Sequence, residues 1–170
     1  MIFLGIGSNL SSSFGDRFDN INLALSSLYE RGIQTIKKSS FYETFSYPNK
    51  KDPKFINIVI SVKTHLQPID LMSVLISIEE KLERKRGKKN DSRTCDIDII
   101  DYNNQVLNFQ YKNLDLEIPH KKLIYRNFIL FPLQEIAPSW KHPNTDEIIG
   151  TLIHKLPVED RKSILKVKKN

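Results

Sequence analysis

The chain predicts a mixed α/β (α+β) domain, a mostly antiparallel sheet with helices on both faces in three layers, α-β-α. Three observations predict it. Stretches whose apolar residues repeat every second position alternate with stretches where they recur at three and four. Their order over the first hundred residues is strand-helix-strand-strand-helix-strand. The 170 residues, 39% hydrophobic and 27% charged, are enough for one sizeable core, so a single domain over residues 1–170 is expected.

Residues 2–6 read as a short buried strand, closed by Gly7-Ser8-Asn9. Residues 16–29 read as a helix, with Ile21, Leu25 and Leu28 at helical spacing. Residues 33–45, rich in Ile, Thr, Phe and Tyr, form a candidate second strand. In residues 55–64 Ile56, Ile58, Ile60 and Val62 share one face, as a half-buried strand requires. Pro68 opens a helix at a favoured first-turn position, with Leu71, Leu75, Ile78 and Leu82 as its buried stripe and Gly87 beyond its end. An apolar strand carrying Asp96 and Asp98 follows, and Asn103-Asn104 reads as a hairpin turn into Val106-Leu107. The final third is less regular, with a helix expected over residues 121–131 and interrupted by Pro132. This βαββαβ order is the ferredoxin-like pattern. Residues 46–54, with two prolines and three lysines, read as a long mobile loop, functional or a plain surface insertion.

The formal charge is +6 and the isoelectric point near 9.3. Five of the six residues 84–89 are cations, and lysines crowd residues 166–169, read as a solvated tail. Such a balance attracts nucleic acid, anionic surfaces or small phosphorylated substrates. The one cysteine, Cys95, excludes an internal disulfide and fits a reducing compartment. Residues 1–7 are apolar but lack a basic lead, and nothing reaches membrane-span length, so a cytoplasmic protein without a membrane partner is expected.

The segment Ser92-Arg93-Thr94-Cys95-Asp96-Ile97-Asp98-Ile99-Ile100 carries the most chemistry. On an extended strand Asp96 and Asp98 project together, about 6–7 Å apart, while Cys95, Ile97 and Ile99 face the other way. Two hard oxygen ligands at that spacing suit Mg²⁺, which takes its remaining ligands from water and phosphates. Alone, the pair is equally a strand with a solvated acidic face.

Six motifs in order resemble the 6-hydroxymethyl-7,8-dihydropterin pyrophosphokinase family. They are Gly5-Ile6-Gly7-Ser8-Asn9-Leu10; Ser39-Ser40-Phe41-Tyr42-Glu43-Thr44; Phe55-Ile56-Asn57; Arg93-Thr94-Cys95-Asp96-Ile97-Asp98-Ile99; Ile118-Pro119-His120; and the run from Arg126 through Pro132 to Pro138. The resemblance implies transfer of pyrophosphate from ATP to a pterin alcohol in folate biosynthesis. It implies ATP as co-substrate and two Mg²⁺ ions held by Asp96 and Asp98. Arg84 and Arg93 match the catalytic arginines, whose forks can hold phosphate oxygens in two places. Arg86, His120 and Arg126 match nucleotide contacts, and Ile99 a position beside the adenine. For His120 a structural histidine after a turn-forming proline is the other reading.

The same resemblance sets Phe55 and Phe128 around the pterin ring, with Asn57, Thr44 and the backbone of Gly7 and of the segment holding Phe45 and Tyr47 at its polar edge. Strand alternation independently places Phe55 and Asn57 on one face. A surface Asn beside a core Phe would show the same pattern. The chain departs from the family at Asn90-Asp91-Ser92, where Trp-Gly-Pro is common, and at Lys121, where an aromatic or proline is frequent. The loop over residues 84–91 is expected to act as a lid over the phosphates. The expected partners are ATP and 6-hydroxymethyl-7,8-dihydropterin, with no nucleic acid, and the protein is expected to be a monomer. The rival reading is a ferredoxin-like RNA- or nucleotide-binding module, but no aromatic-glycine RNA signature occurs and paired carboxylates would repel a phosphate backbone.

Overall fold

A computed structural model describes residues 1–85, 91–111 and 114–169. The expected lid, with Arg86 and Gly87, lies largely outside the described residues. The elements, in order, are β1 (Ile2–Ser8), α1 (Arg17–Glu30), β2 (Gln34–Lys38), β3 (Phe41–Thr44), β4 (Phe55–Lys63), α2 (Pro68–Lys81), β5 (Asp96–Tyr102), β6 (Leu107–Tyr111), β7 (Leu114–Ile118), α3 (Asn127–Ile136), α4 (Ile149–Lys155), α5 (Val158–Lys162) and β8 (Leu165–Val167). A single 3-10 turn, Leu123–Tyr125, precedes α3.

Among the described residues six strands form one sheet, ordered β5-β1-β4-β3-β8, with β2 also on β4, and every pairing is antiparallel. Alternation sorts the side chains. Ile2, Leu4 and Ile6 of β1, Ile56, Ile58, Ile60 and Val62 of β4, and Ile97 and Ile99 of β5 face α1 and α2. Phe3, Val59 and Ile100 face α3 and α4 on the other side. That second face becomes polar toward one end, where β5 carries Asp96 and Asp98 and β4 carries Phe55 and Asn57.

α1 starts at Asp16, whose carboxylate accepts from the N–H groups of Phe18 and Asp19 while Asp19 reaches back to the Asp16 N–H, a reciprocal cap. α2 buries Leu71, Leu75 and Ile78, with Leu82 at its C-cap, as the periodicity predicts, and Glu79 is buried beside them.

The expected strand over residues 33–45 is broken at Ser39 and Ser40. β2 and β3 follow one another along the same edge of β4, and between them Ser39 bonds Val59 through its main chain and its hydroxyl. The expected hairpin at Asn103-Asn104 does not form. Both residues take left-handed φ values of 55° and 58°, but β6 pairs with β7 in a separate two-stranded sheet. The turn is captured instead by its surroundings, since the Asn104 N–H donates to Asp101 and the Asn103 N–H to the Met1 carbonyl.

Pro132 lies inside α3 rather than ending a helix. Its ring is buried with Leu130 and Leu133, and that packing offsets the one helical hydrogen bond it cannot donate. Two of the C-terminal lysines, Lys166 and Lys169, are docked. β8 extends the sheet along β3, Lys166 pairs with Glu135 at 3.4 Å, and Lys169 pairs with Asp16 at 3.6 Å and with Asp19.

Candidate active site

A cleft of about 1150 Å³ opens over the polar end of the sheet. Its floor follows from the strand register. Gly7 of β1 stands between Asp96 of β5 and Asn57 of β4, and Gly5 pairs with Asp98. With strands about 4.8 Å apart, Asp96 and Asn57 are about 10 Å from one another across Gly7, which carries no side chain of its own. A Cβ on Gly7 would meet the Asn57 Oδ1 at 2.9 Å, so only glycine leaves that space open.

One side of the cleft is charged. Arg84 Nη1 donates to Asp96 Oδ1 at 2.6 Å and also to the buried Glu79, which in turn accepts the Ile97 N–H at 2.8 Å. Burial works against the Arg84 charge, but Asp96 and Glu79 outweigh it and hold the guanidinium protonated. Arg93 pairs with Asp96 at 3.3 Å, and Arg126 Nη1 donates to Asp98 at 3.2 Å. Enclosure in the cleft, and next the Asp96 charge, push the Asp98 carboxyl up to about 6, with Arg126 acting against them.

His120 Nδ1 lies 3.0 Å from the Lys122 N–H, and its Nε2 lies 3.3 Å from Nη2 of Arg126, a nitrogen that can only donate. Burial, then the Arg126 charge, push the His120 pKa down to about 4, so the ring is neutral at physiological pH.

The other side is aromatic. Phe55 and Phe128 line the cleft, and each ring carries an arginine, Arg93 at 5.4 Å from Phe55 and Arg126 at 5.6 Å from Phe128. Asn57 is buried and donates to Thr44 Oγ1 at 3.1 Å. Phe45 and Tyr47 border the same space and are exposed.

The structure therefore brings together Gly7, Thr44, Phe45, Tyr47, Phe55, Asn57, Arg84, Arg93, Asp96, Asp98, His120, Arg126 and Phe128, all expected from the sequence. Ile99 does not line the cleft. Its side chain is buried in the α1–α2 core, because odd positions of β5 face away from the cleft. Only its main chain is left for a ligand, on the outer edge of β5 where Ile97 already donates to Glu79.

Other lining residues were not expected. Tyr125 is largely exposed in the cleft, and Glu159, Asp160, Lys162 and Ser163 bring the C-terminal segment to its rim. Asn127 Nδ2 fastens that segment by donating to the Asp160 carbonyl at 2.7 Å and to Ser163 at 3.1 Å. Glu79 could have been noticed as a carboxylate on the buried stripe of α2, whereas nothing local marks residues 159–163.

The family model described as 7,8-dihydro-6-hydroxymethylpterin-pyrophosphokinase (HPPK) matches residues 3–138. A Synechocystis protein named 2-amino-4-hydroxy-6-hydroxymethyldihydropteridine pyrophosphokinase is 34% identical over 154 residues, 90% of this chain and 74% of that one. The Schizosaccharomyces pombe folic acid synthesis protein fol1 is 35% identical over 156 residues, 91% of this chain but 20% of fol1, so the chain spans about a fifth of that relative's length. A crystal structure of a Plasmodium falciparum HPPK-DHPS triple mutant with pteroate superposes with a TM-score of 0.73 at 15% identity, over 97% of this chain and 46% of that one, a likeness of fold. By these matches the chain belongs to the 7,8-dihydro-6-hydroxymethylpterin-pyrophosphokinase family.

Proposed function

We propose that the protein transfers pyrophosphate from ATP to the hydroxymethyl group of 6-hydroxymethyl-7,8-dihydropterin, releasing AMP, as a step of folate biosynthesis. The observation that carries this reading is the row Asp96–Gly7–Asn57, which sets a carboxylate–arginine cluster and an aromatic, amide-lined pocket on either side of a glycine. One end suits a metal-bound polyphosphate and the other a flat, hydrogen-bond-rich ring. The RNA-binding alternative is not favoured.

In the reaction the hydroxymethyl oxygen forms a bond to the β-phosphorus of ATP as the bond from that phosphorus to the α–β bridging oxygen breaks. AMP leaves, and the hydroxyl proton passes to water. Such transfer asks a protein chiefly for positioning and charge stabilisation. Phe55 and Phe128 would hold the pterin faces while Asn57, held by Thr44, reads its edge. Arg84, Arg93 and Arg126 would present forks to phosphate oxygens, and His120, beside Arg126, would stand at the nucleotide.

The residues present fit magnesium. Asp96 and Asp98 offer hard oxygens on one strand face, and no cluster of three metal-ligating side chains exists among the described residues, as suits an ion completed by water and phosphate. The two ions implied by the resemblance would be held by Asp96 and Asp98 and would neutralise phosphate oxygens in line with transfer.

The order β5-β1-β4-β3, with α1 and α2 at the crossovers and α3 and α4 on the opposite face, supports reading the core as ferredoxin-like and three-layered, within one domain over residues 1–170. The working unit in this proposal is a monomer. No helix among the described residues is long and apolar enough to cross a membrane, and we place the enzyme in the cytoplasm with its small-molecule substrates. The test is AMP release from ATP. It should require both Mg²⁺ and the pterin alcohol, and ATP turnover indifferent to the pterin would overturn the assignment.

A further inference from the structure

We propose that Asn9 is a positioning residue, a single buried amide that fixes both the catalytic arginine Arg93 and the loop bordering the pterin pocket; the inference rests on the function proposed above. Asn9 follows β1 directly and is 2% exposed. Its Oδ1 accepts the Arg93 N–H at 2.7 Å, and its own main-chain N–H donates to the Arg93 carbonyl at 3.1 Å. From the other end of the same amide, Nδ2 donates to Ser92 Oγ at 3.0 Å, to the Pro53 carbonyl at 3.0 Å and to Ser46 Oγ at 3.2 Å. Three segments distant in sequence, residues 8–10, 46–53 and 92–93, meet at one side chain.

The amide is planar, so its two ends cannot reorient independently. Its two N–H groups serve three acceptors, which leaves no spare donor if one segment shifts. Arg93 transmits the alignment into the cleft from both sides, because its side chain pairs with Asp96 at 3.3 Å and lies over the Phe55 ring at 5.4 Å. Its Nε makes no hydrogen bond among the described residues and meets Asp96 as an ion pair, so the backbone that Asn9 holds is a second anchor for this side chain. The loop arm ends on Ser46, whose neighbours Phe45 and Tyr47 border the pterin pocket. Asn9 itself does not line the cleft and acts only through these groups.

The two ends of the amide can be separated by substitution. Asn9→Ala removes both. Asn9→Asp keeps an acceptor for the Arg93 N–H but replaces the donor with an oxygen that repels the Pro53 carbonyl. Ser46→Ala removes one acceptor of the loop arm and leaves Arg93 untouched.

In steady-state AMP release, Asn9→Ala should lower kcat and raise the pterin KM, each by about tenfold, the effect of losing about one buried hydrogen bond on each arm. Asn9→Asp should recover most of kcat while the pterin KM stays high, and Ser46→Ala should raise the pterin KM alone. Hydrogen exchange in the free proteins should show residues 46–53 deprotected in both Asn9 variants, and residues 92–94 deprotected only in Asn9→Ala. A purely structural role would lower the active fraction in every variant and move kcat without splitting it from KM. Unsplit kinetics, or unchanged exchange at both segments, would overturn the inference. Absence of AMP release from the wild-type protein would instead overturn the proposed function, with the exchange pattern still deciding the role of Asn9. Should Asn9→Ala fail to fold, the contrast between Asn9→Asp and Ser46→Ala carries the same decision.

Discussion

Gly7 and Asn57 show how closely the site is fitted at the level of single atoms. The Asn57 amide is buried and tied to Thr44 on one side, and on the other its Oδ1 stands where a Gly7 side chain would have to be. Asn57→Ala should weaken pterin binding by about 5–150-fold, the 1–3 kcal/mol of an unpaired buried polar edge, and Gly7→Ala should do likewise by displacing the amide. Neither change should alter Mg–ATP affinity, and calorimetry showing equal losses for both ligands would remove Asn57 from the pterin edge. The acidic pair makes the opposite case. The side chains of Asp96 and Asp98 are 24% and 43% exposed and belong to neither apolar core, so Asp96→Ala or Asp98→Ala should leave the circular dichroism spectrum intact and abolish turnover. Loss of metal-assisted charge neutralisation costs several kcal/mol of barrier. Near wild-type turnover at saturating Mg²⁺ would reject the metal assignment.

At the scale of elements, what could be read from the sequence was what local periodicity controls. Ile56 to Val62 alternate because one face of β4 meets α1 and α2, and the stripe on α2 is buried as its spacing requires. That Phe55 shares a face with Asn57, and Asp96 with Asp98, was legible for the same reason, whereas their roles came from the family resemblance. The features that escaped depend on long-range partners. Ser39 breaks the second strand only because Val59 lies opposite, Asn103-Asn104 builds no hairpin because Met1 and Asp101 take its N–H groups, and Asn9 looks like a turn residue until Pro53 and Ser92 arrive. The loop after α3 is also held by distant polar contacts. Trp140 donates to the buried Asp101 at 2.7 Å, and His142, stacked edgewise on Trp140, accepts the Asn144 N–H at Nδ1. Burial holds the His142 pKa below its ordinary value, although the Glu147 and Asp101 charges pull the other way. For a histidine depressed in the folded state, the unfolded chain takes up the proton first, so its stabilising effect is complete above about pH 6.5 and is lost as pH falls toward the folded value. His142→Asn can still accept the Asn144 N–H but does not titrate. Its melting temperature should therefore fall less than that of wild type between pH 7 and pH 5. Equal falls would exclude His142 from the acid limb.

At the scale of the whole molecule, the C-terminal segment closes the far edge of the sheet and reaches the rim of the site. The family match ends at residue 138, yet residues 159–163 border the cleft and β8 flanks the strand that delivers Thr44. Lysine-rich composition suggested a solvated tail because charge density was the only local signal there. The partners that dock it, β3, Glu135, Asp16 and Asp19, are all distant in sequence. Ion pairs account for little of this docking, since Lys166 and Lys169 remain 57% and 42% exposed. The β3–β8 hydrogen bonds and the packing of Val167 against the α1–α2 core account for more. Deleting residues 164–170 should therefore cost about 2 kcal/mol, a fall of about 4–8 °C in melting temperature for a chain of this size. Because Asp160 and Ser163 stay in place to hold Asn127, the start of α3 should keep its position, whereas β3 would become an edge strand beside Thr44 and Phe45. The truncated protein should show a raised pterin KM with ATP affinity unchanged. Raising salt on the intact protein separates the two contributions, because at 1 M ionic strength exposed pairs are screened within about 3 Å while strand pairing is not. If high salt alone reproduced the full loss of stability and of pterin affinity, the ion pairs, not the strand, would be what holds the tail to the site.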